Sequence, residues 1–272
     1  MNRLGRIFTK IILAIGAVLS LFPFYWMFVM ASVPNSEVFK TPPHLLPGSE
    51  LWTNIQYVFE NTAFFTGVKN TLIVAIISTF LNVFLASLAG FAFAKLEFKG
   101  KKVLFIILLG TMMIPGQINI IPLFYLMDKL QWVGTFKALI VPGMVSAFGI
   151  FWIKQYAEDA IPDSLLESAA IDGSTVFRSY FSIVLPIIRP ALAFLALYSF
   201  MGSWNNYLWP LIIINDESKY TLMLVLTQLQ GLYTTNYPLV ITGSLLATLP
   251  LLLIYSLFSR QLISGITDGA VK

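Results

Sequence analysis

The strongest constraint on this chain is a set of charge-free apolar stretches, most of them at least as long as the roughly 20 residues a helix needs to cross a bilayer. They lie at 11–36, 71–94, 103–127, 138–153, 190–215 and in the last part of 220–259. The 272 residues are 57% hydrophobic and only 11% charged, against about 25% charged in a soluble domain. Seventeen Lys and Arg with 13 Asp and Glu cannot cover such a surface, so lipid must solvate most of it. A soluble enzyme is excluded. The reading is an all-α integral membrane protein with six transmembrane helices near 11–33, 70–94, 103–126, 138–157, 190–214 and 238–259. The fourth is short, but Trp152 and Tyr156 extend it into the interfacial zone that suits aromatics.

An even number of spans puts both termini on one side, and basic residues report which side. Segments 1–10, 95–102, 154–189 and 260–272 together hold 12 Lys and Arg, whereas 34–69, 127–137 and 215–237, of nearly equal total length, hold 5. Both termini are therefore expected in the cytoplasm. Arg3, Arg6 and Lys10 before an apolar run resemble a secretory leader, but the run is long and no small-x-small cleavage site is evident. It is read as an anchor. The net charge of +4 follows from the basic bias of the inner segments and requires no nucleic acid. There is no cysteine, hence no disulfide, thiolate nucleophile or Cys metal site. His44, the only histidine, sits in a Pro-rich stretch and reads as a solvated loop residue with no metal partner.

None of the six spans carries Asp, Glu, Lys or Arg near its middle. Carriers driven by protons or sodium usually keep such a group at membrane depth, so ion coupling and voltage sensing are both disfavoured. Neutral polar groups are present instead, at Asn70, Ser78, Asn82, Gln117, Asn119, Ser203, Asn205 and Asn206. Asn82 falls on the stripe Ser78, Asn82, Ala86, Gly90, Ala94, a small-xxx-small spacing that lets helices approach closely, so helix-to-helix hydrogen bonding accounts for it as well as solute contact does. Around Gln117 and Asn119 lie Gly110, Pro115, Gly116 and Pro122, which predict a kinked third span with freed carbonyls. The fifth span carries Gly202-Ser203-Trp204-Asn205-Asn206-Tyr207-Leu208-Trp209-Pro210. That girdle suits a hydroxyl-rich solute, and equally suits ordinary interfacial anchoring. Gln117, Asn119, Ser203, Trp204, Asn205 and Asn206 are the candidate translocation path.

The segment 154–189 contains Ile161-Pro162-Asp163-Ser164-Leu165-Leu166-Glu167-Ser168-Ala169-Ala170-Ile171-Asp172-Gly173. Ser164 and Glu167 have capping-box spacing, and Gly173 is a left-handed stop, giving a helix of about eight residues and roughly 12 Å. A helix so short needs outside support. Leu165, Leu166 and Ala169 offer an apolar strip, and a second helical stretch starts near Ser174 and runs through Phe177, Tyr180, Phe181 and Val184 to Leu185-Pro186. By itself this describes either a docking element or an amphipathic hairpin on the lipid surface.

The run Glu167-Ser168-Ala169, then Gly173, nine residues, Ile183, one residue, Leu185-Pro186 resembles the EAA motif of ABC importer permeases, departing at Ser168, where Ala is common. With Ile171-Asp172-Gly173, Pro190-Ala191, the fifth-span girdle and the tail Ser264-Gly265-Ile266-Thr267-Asp268-Gly269-Ala270-Val271-Lys272, the chain is similar to the maltose-permease-like carbohydrate-uptake branch. The resemblance implies a type I ABC importer permease fold in a bacterial-type cytoplasmic (inner) membrane, and a coupling helix at 163–173 inserted in a cytoplasmic ATPase subunit. Ser164, Leu165, Leu166, Glu167, Ser168, Ala169, Ala170, Asp172, Gly173, Leu185 and Pro186 would form the coupling element, with Glu167 the polar anchor, Ala169 the close-contact position and Gly173 the turn. The implied organisation is a first helix and outer loop at 1–65, a permease core at 66–260 with the coupling loop 154–189, and a cytoplasmic tail at 261–272 that approaches the ATPases. Implied partners are a second homologous permease subunit, two cytoplasmic ATPase subunits and an extracytoplasmic sugar-binding protein facing loop 215–237.

There is no G-x-x-x-x-G-K-[ST] phosphate loop: the position five before Gly100 is Lys95. Energy must then arrive through a contact. No cofactor is expected on this chain, with ATP and Mg on the ATPase subunits. The function expected is import of a sugar or oligosaccharide. The alternatives are a polyol, glycerol phosphate or peptide carried by the same machinery, and an ATP-independent carrier or channel. The purified chain alone in lipid vesicles is expected to move no solute uphill. Concentrative uptake by the lone subunit, measured with labelled solute, would overturn the dependence on an ATPase.

Overall fold

A computed structural model describes residues 3–231 and 235–270, with side chains over 5–231 and 235–256. Among the described residues the secondary structure is entirely helical. The helices are α1 (Arg3–Met30), α2 (Leu51–Asn61), α3 (Phe64–Lys95), α4 (Lys101–Met112), α5 (Ile120–Lys129), α6 (Phe136–Ile140) and α7 (Ala147–Ala160). They continue as α8 (Asp163–Ile171), α9 (Val176–Ser179), α10 (Leu185–Ile187), α11 (Arg189–Trp204), α12 (Leu208–Ile213), α13 (Leu222–Thr227) and α14 (Tyr237–Ala270). A π-helical turn, Tyr180–Val184, joins α9 to α10.

Among the described residues three helices are long and apolar enough to cross a membrane: Gly5–Met30 of α1, Phe64–Lys95 and Tyr237–Ser256 of α14. At 1.5 Å per residue the 32 residues of α3 reach about 48 Å, more than the hydrocarbon core requires. Two further spans form if each of two bent helix pairs counts as one. The pair Lys101–Met112 and Gly116–Lys129 bends by 92°. Pro115 biases Ile114 away from helix, and this is the kink the sequence pointed to. The pair Val176–Ile187 and Arg189–Trp204 bends by 78°, with Pro190 in the first turn of α11. The expected fourth span, 138–157, is divided between α6 and α7. Pro142-Gly143 interrupts the helix, and Ser146 restarts it by accepting the Gly149 N–H at 3.1 Å. The fifth, expected as 190–214, breaks at 205–207 between α11 and α12.

The chain divides into two compact units. The first holds the residues up to Phe65 with Leu224–Leu251. Val29, Met30 and Val33 form its core, with Trp26, Val38 and Ile241 packed around them. Polar ties close it: the Asn54 amide donates to Ala31 O at 2.9 Å, and Tyr237 N–H donates to Asn35 Oδ1 at 3.0 Å. His44 is a partly exposed loop residue whose Nε2 lies 2.7 Å from Glu37 Oε2. The Lys40 ammonium, hydrogen-bonded to Glu37 at 2.6 Å, holds that carboxyl below its ordinary value, and His44 adds to the effect.

The second unit, Thr66–Met223 with the residues from Leu252 onward, carries the larger core. Ala86, Phe91, Ile153, Ala157, Tyr180, Val184, Ile188 and Leu195 are buried together where α3, α7, the π turn and α11 meet. The small-residue stripe of α3 is the contact surface. A Cβ added to Gly90 would lie 2.7 Å from Ile153 Cβ and Cγ2, and one added to Gly149 would lie 3.1 Å from Ala86 Cβ. Trp152 Nε1 donates to Ala191 O at 3.1 Å, joining α7 to α11, and Trp209 Nε1 donates to Ala138 O at 2.9 Å, joining α12 to α6. At the other end of α3, the Asn70 amide donates to Ser218 O and Tyr220 O, both at 2.9 Å, and Thr71 Oγ1 accepts the Leu222 N–H at 2.7 Å.

Gly90→Ala is expected to destabilise the detergent-solubilised protein by about 1–3 kcal/mol, the usual cost of overpacking. Gly110→Ala, whose Cβ meets no heavy atom within 4 Å, should leave thermal unfolding unchanged or raise it slightly. Equal behaviour of the two variants would count against the close contact.

Candidate functional site

Two places in the second unit gather the residues that the sequence marked. The first is the hairpin after α7. Its helix α8 spans Asp163–Ile171 and begins from Pro162, with no side-chain cap. The expected capping box between Ser164 and Glu167 is therefore not made. Pro162 supplies the extended N-cap backbone, Asp163 takes the first helical position, and Ser164 lies two residues past the cap position. Ser168 Oγ donates instead to Ser164 O at 2.8 Å.

The C-terminus matches the expectation closely. Gly173 has φ +78°, its N–H bonds Ala170 O at 3.0 Å, and the Ser174 N–H bonds Ala169 O at 2.8 Å. These are the paired bonds of a Schellman stop. Only one side of α8 is anchored. Leu166 packs on the core around Ile153 and Ile161, and Ala169 is half-buried. Ser164, Leu165, Glu167, Ser168, Ala170, Ile171 and Asp172 are exposed, Ile171 at 87%. Beyond the stop, Thr175 caps α9 by accepting the Arg178 N–H at 3.3 Å. Val176, Phe177 and Phe181 are exposed, while Tyr180 is buried and its hydroxyl shares a hydrogen bond with Ser87. Leu185 is half-buried and Pro186 exposed.

Sequence reasoning did not single out Lys95. The last residue of α3, it holds Asp163 Oδ1 at 2.8 Å and Glu158 O at 3.4 Å. Nothing local in the sequence signals that contact, because the ion pair spans 68 positions.

The second place is a cavity of about 570 Å³ between α3, the α6–α7 break and α11. Of the six candidate path residues it gathers Ser203, Asn205 and Asn206, and adds Ser78, Asn82 and Ser146. Asn82 is nearly buried: its amide donates to Gly143 O at 3.3 Å and its Oδ1 accepts the Ser199 hydroxyl at 3.1 Å. It is thus both helix glue and cavity wall. Ser78 Oγ is buried without a hydrogen-bond partner. Among the described residues the cavity wall contains no charged side chain. Trp204 is fully buried and stacks on Phe200 at 5.6 Å, which removes it from the wall. Gln117 and Asn119 lie exposed on the turn after the 92° bend and are not among the residues lining the cavity. The tail motif at 264–272 lies outside the residues whose side chains are described.

Residues 82–267 match the family described as binding-protein-dependent transport system inner membrane component. The chain belongs to that family. It is 34% identical over 259 residues to the arabinooligosaccharides transport system permease protein AraQ of Halalkalibacterium halodurans, covering 94% of this chain and 92% of that one. It is 34% identical to the lactose transport system permease protein LacG of Rhizobium radiobacter, covering 100% and 98%, and 32% identical to the sn-glycerol-3-phosphate transport system permease protein UgpE of Pectobacterium atrosepticum, covering 98% of each. A chain in the crystal structure of a bacterial ABC transporter involved in the import of the acidic polysaccharide alginate shares the fold, with a TM-score of 0.79 over 96% of this chain and 98% of that chain at 21% identity.

The geometry separates the candidate path residues. In the assembled transporter, Asn205→Leu is expected to change the relative uptake of competing solutes, whereas Asn119→Leu leaves it at the wild-type ratio. The reverse pattern would return the third-span bend to the path.

Proposed function

We propose that this chain is the transmembrane subunit of an ATP-driven importer that translocates a neutral sugar or oligosaccharide delivered by an extracytoplasmic binding protein. The observation that carries the reading is α8, a nine-residue helix closed at Gly173 and anchored on one side through Leu166, with Glu167, Ser168, Ala170 and Ile171 turned outward. Such a helix is too short to persist in water without support, and it has the form of a lever for a neighbour to grip. On this reading α8 docks in an ATPase subunit, with Glu167 the polar anchor and Ala169 at the closest approach. Two ATPase subunits bind ATP and Mg, and a second, related permease chain completes the pathway. This chain binds no cofactor of its own. The chain crosses a bacterial cytoplasmic membrane six times, with both termini on the cytoplasmic side, as the 12 to 5 division of basic residues supports.

The relative UgpE raises a second solute class, a glycerol phosphate. A phosphate group is held best by Arg or Lys, and the cavity presents only hydroxyls, amides and carbonyls among apolar walls. That wall favours a neutral hydroxylated solute. Alternation between outward-open and inward-open states would follow rigid-body movement of the docked α8 and the helices attached to it.

Glu167→Lys and Gly173→Pro test the docking. Gly173 sits at φ +78°, which proline cannot adopt. Both variants are expected to insert normally, to lose co-purifying ATPase and to abolish uptake of labelled sugar. Full transport by either would refute the assignment of α8.

A further inference from the structure

Lys95 is an unusual lysine for the end of a membrane helix. Its side chain is only 7% exposed, while the Asp163 carboxylate that it meets is 77% exposed. A nearly buried ammonium is costly unless a counter-charge and hydrogen-bond acceptors surround it, and here both come from the α7–α8 corner. Glu158 O lies in the last turn of α7, where its helical donor would be the backbone nitrogen of residue 162. Residue 162 is Pro162, which has no N–H. Lys95 Nζ takes that place at 3.4 Å and reaches Asp163 Oδ1 at 2.8 Å. Asp163 in turn opens α8, where a carboxylate complements the helix dipole. One ammonium thus joins the end of α3, the end of α7 and the start of α8.

The far reaches of the same two helices line the cavity. Asn82 and Ser78 of α3, and Ser146 at the start of α7, stand in its wall. From Lys95 to Asn82 is 13 residues, about 20 Å along a rigid helix. Between them Gly90 and Gly149 let α3 and α7 pack in van der Waals contact, with no room for a side chain at either position.

We propose that Lys95 is a positioning residue for transport, an ionic clamp through which displacement of α8 reaches α3 and α7 and so the cavity wall. This rests on the reading of α8 as the ATPase-docking helix. With the clamp intact, a rigid-body movement of α8 pulls both helix ends. Without it, α8 keeps its outward face and its Schellman stop, and so keeps its partner, but shifts on Leu166 without carrying α3.

The test uses the assembled transporter, purified through a tag on this chain with its own partner subunits and reconstituted in lipid vesicles. Solute moved per ATP hydrolysed is the readout. Lys95→Met keeps the aliphatic stem and removes the charge. The ATPase subunits should still co-purify and hydrolyse ATP, while solute per ATP falls on the order of tenfold, within the usual range of coupling between sites. Lys95→Arg should retain most of the wild-type ratio, since a guanidinium still donates to both oxygens. Asp163→Ala, at an exposed position, should show the same loss in smaller degree, and it decides the question should the Lys95 variants fail to assemble.

Wild-type solute per ATP in assembled Lys95→Met, or in Asp163→Ala where that variant decides, overturns the clamp. So does a Lys95→Arg protein as impaired as Lys95→Met, because bulk rather than charge would then matter. Glu167→Lys in the same preparation separates the two ideas. If it keeps both ATPase and full uptake, the docking reading fails and the clamp with it. If it loses the ATPase while Lys95→Met transports normally, only the clamp fails.

Discussion

The close approach of α3 and α7 is the contact on which the rest of the second unit depends. In hydrocarbon, apolar side chains gain little by leaving lipid for another helix, so association relies on tight packing and on hydrogen bonds. Both are present here. Gly90 faces Ile153, Gly149 faces Ala86, and Asn82 reaches across to Gly143 O and the Ser199 hydroxyl. The stripe of small residues therefore does more than permit contact. It sets the distance at which one amide can bind two neighbouring elements and still form part of a cavity wall.

The breaks in the helices differ in what they build. A continuous helix satisfies its own backbone and offers a solute only side chains. Where Pro142-Gly143 interrupts the fourth expected span and Asn205–Tyr207 the fifth, Gly143, Asn205 and Asn206 come to line the same cavity. The Pro115 break has a different outcome. It turns the chain by 92° and leaves Gln117 and Asn119 on an exposed arm. The same residue chemistry builds a cavity where neighbouring helices surround it and a surface where they do not.

The α8 hairpin shows how a short helix is kept in place with most of its surface left exposed. Leu166 and the Schellman stop secure one side and the end, and Lys95 secures the start. Ile171 and Phe177 remain outside, at 87% and 71% exposure. On the proposed reading, a partner would grip this surface, and Lys95 ties its start to α3.

Much of this was legible in the amino-acid order, because it is local. Long uncharged runs dictate membrane helices, Pro115 a bend, and Gly173 a left-handed stop. Each of these is decided by a residue's own conformational limits or by neighbours within a few turns. The capping box was misread at the same scale, since Ser164 and Glu167 have the right spacing but Pro162 starts the helix two residues earlier. What only the tertiary structure decided is which distant polar groups meet. Asn82 joins Ser199 across 117 positions and Lys95 joins Asp163 across 68, while Trp204, adjacent to the cavity residues in sequence, turns into the core. Those outcomes depend on where the helices bend or break and how closely α3 and α7 pack, and no periodicity along a single helix records that.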